Sequence, residues 1–127
     1  MANELILIVE DNEKNLKLVR DVLQFRGYLT LEATTGEDGV RQAKARTPDL
    51  ILMDIQLPGM DGITALGELR ADPATRAIPV IAVTASAMTH DRKKIMAAGF
   101  DGYQSKPIKV KEFVDVIREM LDRRGAK

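Results

Sequence analysis

The chain contains no cysteine. That rules out a disulfide framework and a thiolate zinc site, and it fits a reducing compartment. Neither sign of charge is in excess, since 19 Lys plus Arg balance 19 Asp plus Glu. A nucleic-acid binder usually carries a basic surplus, so no direct DNA binding is expected. No apolar run approaches the ~20 residues that span a bilayer. The short run Leu5–Val9 lacks the basic flank of a signal peptide. These absences predict a cytoplasmic chain with no membrane partner. Repeats, low-complexity stretches and linkers are also missing. A length of 127 residues suits one domain over 1–127, without an output domain.

What is present is material for a packed core, with 45% hydrophobic and 30% charged residues. Apolar runs alternate with helical patterns. Leu5–Val9, Leu50–Met53 and Pro79–Val83 are continuous apolar runs, as strands buried on both faces require. Tyr28–Ala33 and Gly102–Gln104 read as two further strands. Asn12 is placed to cap a first helix with Leu16, Val19 and Leu23 on one face, and Gly27 to stop it. A second helix opens at Thr35 or Gly36 and ends before Pro48. A third carries Ile63, Leu66 and Leu69. A weak, Ala-rich fourth leads to Gly99. The last shows the i, i+3, i+4, i+7 spacing from Val110 to Leu121. Five strands alternating with five helices predict an α/β fold, a doubly wound parallel sheet covered on both faces. The expected strand order is 2-1-3-4-5.

In such a sheet, sites form beyond the carboxyl ends of the strands where strand order reverses. Here those ends carry Glu10 and Asp11, Asp54, Thr84, and Lys106. Three carboxylates at one rim repel one another unless pKa values rise or a cation binds. Short acidic side chains suit a hard divalent ion, and Mg2+ is the common choice beside phosphate. A cation and a lysine around a carboxylate can hold a phosphoryl group while Asp54 attacks in line, and the Thr84 hydroxyl can donate to it. Each residue alone has a bland reading: a helix cap for Glu10 and Asp11, a turn for Lys106 and Pro107. Their joint placement at four strand ends carries the argument.

At these residues the sequence resembles the receiver domains of two-component response regulators, the CheY-like family with a flavodoxin-like fold. The resemblance runs through Val9–Asn12, Leu52–Pro58, Met60–Gly62, Val83–Ala85, Tyr103 and Lys106–Pro107. Ile51–Pro58 and Ser105–Ile108 look most like stand-alone regulators of the DivK type. The resemblance implies that Asp54 is the phosphoacceptor and that Asp11 ligates Mg2+, with Glu10 reaching it through water. It implies that Gln56 lends its backbone carbonyl to the metal and that Lys106 binds the phosphoryl group. Thr84 and Tyr103 would form a switch pair. The Gln56 side chain is expected to influence the lifetime of the phosphate. Implied partners are a histidine kinase or histidine phosphotransferase and a downstream protein, with a phosphorylation-dependent dimer as a further option. Leu18, with Asn15 and Pro107, is the candidate docking patch. Arg92, Lys93 and Lys94 read as a solvated face, and His90 as a surface loop histidine.

Three rivals fit less well. A haloacid-dehalogenase-like phosphatase wants a second Asp two positions beyond the nucleophile, where Gln56 stands. A nucleotide or flavin binder would place small residues and backbone donors where Glu10, Asp11 and Glu13 would repel phosphate. A degenerate receiver used only for docking would not need Asp54, Thr84 and Lys106 together.

Overall fold

The fold follows from where the apolar side chains can be buried. In a computed structural model of the chain, positions 3–85 and 89–125 are described. Five parallel strands, β1 (Leu5–Val9), β2 (Leu29–Ala33), β3 (Leu50–Asp54), β4 (Val80–Thr84) and β5 (Gly102–Ser105), pair in the order β2-β1-β3-β4-β5. Five helices connect them: α1 (Glu13–Phe25), α2 (Gly36–Arg46), α3 (Gly62–Ala71), α4 (Thr89–Ala97) and α5 (Val110–Gly125). The doubly wound sheet expected from the alternation is the one observed.

Strand side chains alternate between two cores, as a pleated sheet covered on both faces demands. Leu7, Val9, Ile51, Met53, Val80 and Ala82 face Val40, Leu66, Leu69 and Ile95 of α2, α3 and α4. Ile6, Ile8, Leu50, Leu52, Ile81 and Val83 face Leu16, Val19 and Leu23 of α1 and Phe113, Ile117 and Leu121 of α5. The helix starts are fixed by the capping residues the sequence offers. Asn12, Thr35 and Asp61 accept from the backbone N–H groups of Asn15, Asp38 and Thr64. Gly27, at φ 91°, follows the end of α1.

Strand boundaries differ from the sequence reading in β2 to β5: β4 runs Val80–Thr84 rather than Pro79–Val83, and β5 extends to Ser105. β2 starts at Leu29 because the Tyr28 N–H turns back to the Leu23 carbonyl (3.1 Å) to close α1. Asp54 lies inside β3, in register with Val83, rather than after it. Outside the core-facing side of α1, Leu18, Val22 and Phe25 form a further apolar line, of which Val22 is half-buried while Leu18 and Phe25 are 41% and 87% exposed. Between the two residues of the expected switch pair, Thr84 and Tyr103, positions 86–88 lie outside the described residues. The His90 side chain does too.

Far from the carboxyl ends of the strands, Arg70 ties several segments together. One guanidinium nitrogen donates to the carbonyls of Arg76 (2.9 Å) and Ile78 (2.8 Å). The other reaches Gly99 O (3.2 Å) and Asp101 Oδ2 (2.7 Å). That carboxylate oxygen also accepts from Val80 N–H (2.8 Å) at the start of β4.

Candidate functional site

The order β2-β1-β3 brings the ends of β1 and β3 side by side, which is where the expected site assembles. Val9 pairs with Met53, so Glu10 and Asp54 leave adjacent strands at one level. Both are 4% exposed. Asp11 is exposed beside them, and one carboxylate oxygen each of Glu10, Asp11 and Asp54 lies within 4.8 Å of the others. Octahedral Mg2+ has ligands at about 2.1 Å, so its oxygens lie roughly 3–4 Å apart. The three carboxylates therefore suit one hard cation, and they are the residues that can hold it.

β5 delivers the lysine. Its last residue, Ser105, pairs with Thr84, and the Lys106 N–H donates to Thr84 O (2.8 Å). The Lys106 ammonium then lies 2.8 Å from Glu10 Oε1 and 3.1 Å from Asp54 Oδ2, with its side chain 16% exposed. The second oxygens are held by backbone donors: Glu10 Oε2 accepts from Asn12 N–H (3.1 Å), and Asp54 Oδ1 from Gln56 N–H (3.0 Å). One ammonium thus bridges two buried carboxylates, each anchored in orientation by a loop amide.

The electrostatics follow the burial. Loss of hydration pushes the Glu10 carboxyl above its usual range; Lys106 and the Asn12 amide oppose this and the nearby Asp54 adds to it. Burial alone would lower Lys106, but its contacts with Glu10 and Asp54 outweigh that and hold it above the ordinary lysine value. Thr84 is buried at the end of β4, and Tyr103 is half-buried on β5, in register with Ala82. The Gln56 side chain is exposed at the rim.

Every strand-end residue singled out by sequence is brought to this rim. Three features were not read from it. Lys106 engages Glu10 as well as Asp54. Arg92, read as part of a solvated face, lies over the Tyr103 ring with 5.4 Å from its guanidinium carbon to the centroid. Gly62, quoted only within a motif, packs against the backbone of Asp54. A glycine directly after a helix-capping Asp61 was the available signal for that contact.

The chain is similar in sequence and fold to known proteins. Residues 6–118 match the family model described as the response regulator receiver domain. The polar-differentiation response regulator DivK of Brucella ovis is 46% identical over 116 residues, covering 91% of this chain and 94% of that protein. The receiver domain of a sensor histidine kinase from Pseudomonas aeruginosa, solved with a magnesium ion coordinated in its active-site cleft, superposes with a TM-score of 0.89 at 36% identity, over 95% of this chain and 99% of that one. A CheY-like receiver domain protein from Methanospirillum hungatei gives a TM-score of 0.87 at 29% identity, over 98% of both chains. Strand order, acidic rim and these likenesses converge: the chain belongs to the response regulator receiver domains of two-component signal transduction.

Proposed function

We propose that Asp54 accepts a phosphoryl group from a phosphohistidine of a kinase or phosphotransferase, and that the modified site alters a surface read by a downstream protein. The observation that carries this is the Lys106 ammonium bridging buried Asp54 and Glu10 beside exposed Asp11. A carboxylate oxygen of Asp54 attacks phosphorus. The P–N bond breaks, and its electron pair stays on the departing imidazole. Lys106 is within reach to follow the negative charge onto the phosphoryl oxygens, and Thr84 is placed to donate a hydroxyl to them. Mg2+, when bound, supplies the remaining charge neutralisation. Asp11 and Asp54 would ligate it directly and Gln56 through its carbonyl. Glu10 would reach it through water. The domain thereby assists its own modification while remaining a signalling module.

Incubation with acetyl phosphate and Mg2+, followed by intact mass, tests the reading. Wild type gains one phosphoryl group, and Asp54→Asn gains none. An equal gain in both would sink it.

Docking of the donor is assigned to the rim of α1. Leu18 is exposed there on the helix that begins beside Glu10 and Asp11. Leu18→Arg is expected to slow phosphotransfer from the kinase or phosphotransferase at least tenfold, as loss of one apolar anchor of an interface does (about 1–2 kcal/mol), while leaving acetyl phosphate labelling intact. Equal loss with both donors would place the defect in the site instead. Arg92 over Tyr103 is placed to hold the ring of the switch pair, and α4 with its exposed Lys93, Lys94 and Met96 is the face available to a partner. No helix among the described residues is long and apolar enough to cross a membrane.

A further inference from the structure

We infer that Gly62, supported by Gly36, is a positioning residue for Asp54: the β3–α3 loop is seated between two glycine backbones, and this seat sets where the acceptor carboxylate and the Gln56 amide stand. The inference rests on Asp54 being the acceptor. It adds residues from outside the acidic rim.

The geometry is a close approach on both sides of one loop. A Cβ added to Gly62 would lie 2.4 Å from the Asp54 carbonyl oxygen and 2.9 Å from Ile55 Cα. Both are backbone atoms, so no side chain can swing aside. The Gly62 N–H also donates to the Ile55 carbonyl (3.0 Å), closing residues 55–62 into a ring. Toward the other end of the loop, a Cβ on Gly36 would lie 2.7 Å from the Met60 carbonyl oxygen and 3.3 Å from Met60 Cβ. The first turns of α2 and α3 therefore grip the loop between them.

The choice of what yields decides the outcome. The start of α3 is pinned by the Asp61 cap on Thr64 N–H (2.8 Å) and by buried Ala65 and Leu66. Ile55 N–H is bonded to Val83 O (3.1 Å), which holds the upper end of β3 to β4. The helix start is held by a cap and a buried face and the Asp54–Ile55 peptide by that one hydrogen bond, so a methyl group at Gly62 displaces the peptide. The Gln56 N–H, which orients Asp54 Oδ1 at 3.0 Å, moves with it. A displacement near 1 Å at a reacting group costs on the order of a hundredfold in rate. Gly67, on the same helix, has nothing within 4 Å of an added Cβ. Alanine there changes helix propensity alone, in the stabilising direction.

The test compares wild type, Gly62→Ala, Gly36→Ala and Gly67→Ala. Two quantities are read: the Mg2+ dissociation constant by NMR titration, and the rate of acetyl phosphate labelling at saturating Mg2+. Gly62→Ala is expected to label about ten- to a hundredfold more slowly and to bind Mg2+ more weakly. Gly36→Ala should show the same changes to a smaller degree, because its closest approach is looser, 2.7 Å against 2.4 Å, and falls on Met60 rather than on Asp54 itself, and Gly67→Ala should match wild type. A folded Gly62→Ala with wild-type Mg2+ affinity and labelling rate overturns the inference. So does a Gly67→Ala defect equal to that of Gly62→Ala. Should Gly62→Ala not fold, Gly36→Ala decides by the same readouts: weaker binding and slower labelling support the seat, and wild-type values overturn it. If wild type itself takes no phosphoryl group, the acceptor reading falls, and the seat stands or falls on the Mg2+ titration.

Discussion

Replacing Lys106 with alanine is expected to lower the unfolding free energy by about 3 kcal/mol at neutral pH, measured by urea denaturation in metal-free buffer. The loss comes from what remains. Glu10 and Asp54 are both almost fully buried, and the ammonium between them is removed. The size of the effect should depend on pH in a defined direction. Burial already raises the Glu10 carboxyl above its unfolded value, with Lys106 as the first opposing contact. A raised carboxyl favours the folded state fully below its unfolded value, and that contribution is lost as pH climbs through the folded value. Without Lys106 the folded value climbs further. The gap between variant and wild type should therefore be small in acid and widen toward neutral pH. Mg2+ should narrow it again, by neutralising the same oxygens. A deficit that ignores both pH and Mg2+ would mean that the lysine stem matters only for packing.

Arg70→Ala is expected to reduce stability by about 2 kcal/mol, or roughly 6–10 °C in Tm for a domain of this size. The side chain makes four hydrogen bonds, three to backbone carbonyls and one to Asp101. Hydrogen bonds from a charged donor contribute more than neutral ones, but the group is partly exposed and water can replace part of what is lost. Arg70→Lys should recover less than half, because a single ammonium cannot reach two pairs of acceptors in a planar fork. Differential scanning calorimetry of the two variants decides it. Equal Tm values for Arg70→Lys and wild type would refute the clip, and phosphate labelling should be unchanged in both.

Much of this protein is legible in its sequence because its strands are buried on both faces. Leu5–Val9 and Leu50–Met53 are too continuously apolar to be amphipathic elements, and the polar residue after each run marks the sheet's carboxyl edge. The caps at Asn12 and Thr35 are local interactions, so local spacing finds them. What escaped the sequence reading is what depends on distance through space. The contact of Lys106 with Glu10 requires the register of Thr84 with Ser105 across β4 and β5. The placement of Arg92 over Tyr103 requires α4 to lie against β5, and no periodicity within Arg92–Lys94 encodes that. Leu18 and Phe25 share an apolar line with Val22, yet only the helix's rotation on the sheet decides which of them is covered. Asp54 was read as following its strand because a carboxylate looks like a terminator. Val83 opposite it extends the ladder by one residue.

β5 is the shortest of the five strands and pairs along one side only. Half the springs that hold an interior strand are missing from it, so it yields to a smaller force. At one end it carries Tyr103, and just beyond the other it passes into Lys106, whose backbone N–H donates one hydrogen bond to the Thr84 carbonyl. In the proposed switch, a pull on the lysine would act on this short edge strand and reach the tyrosine over three residues. The interior strands would hold the proposed chemistry in place, and the edge strand is where a change of load would become a movement.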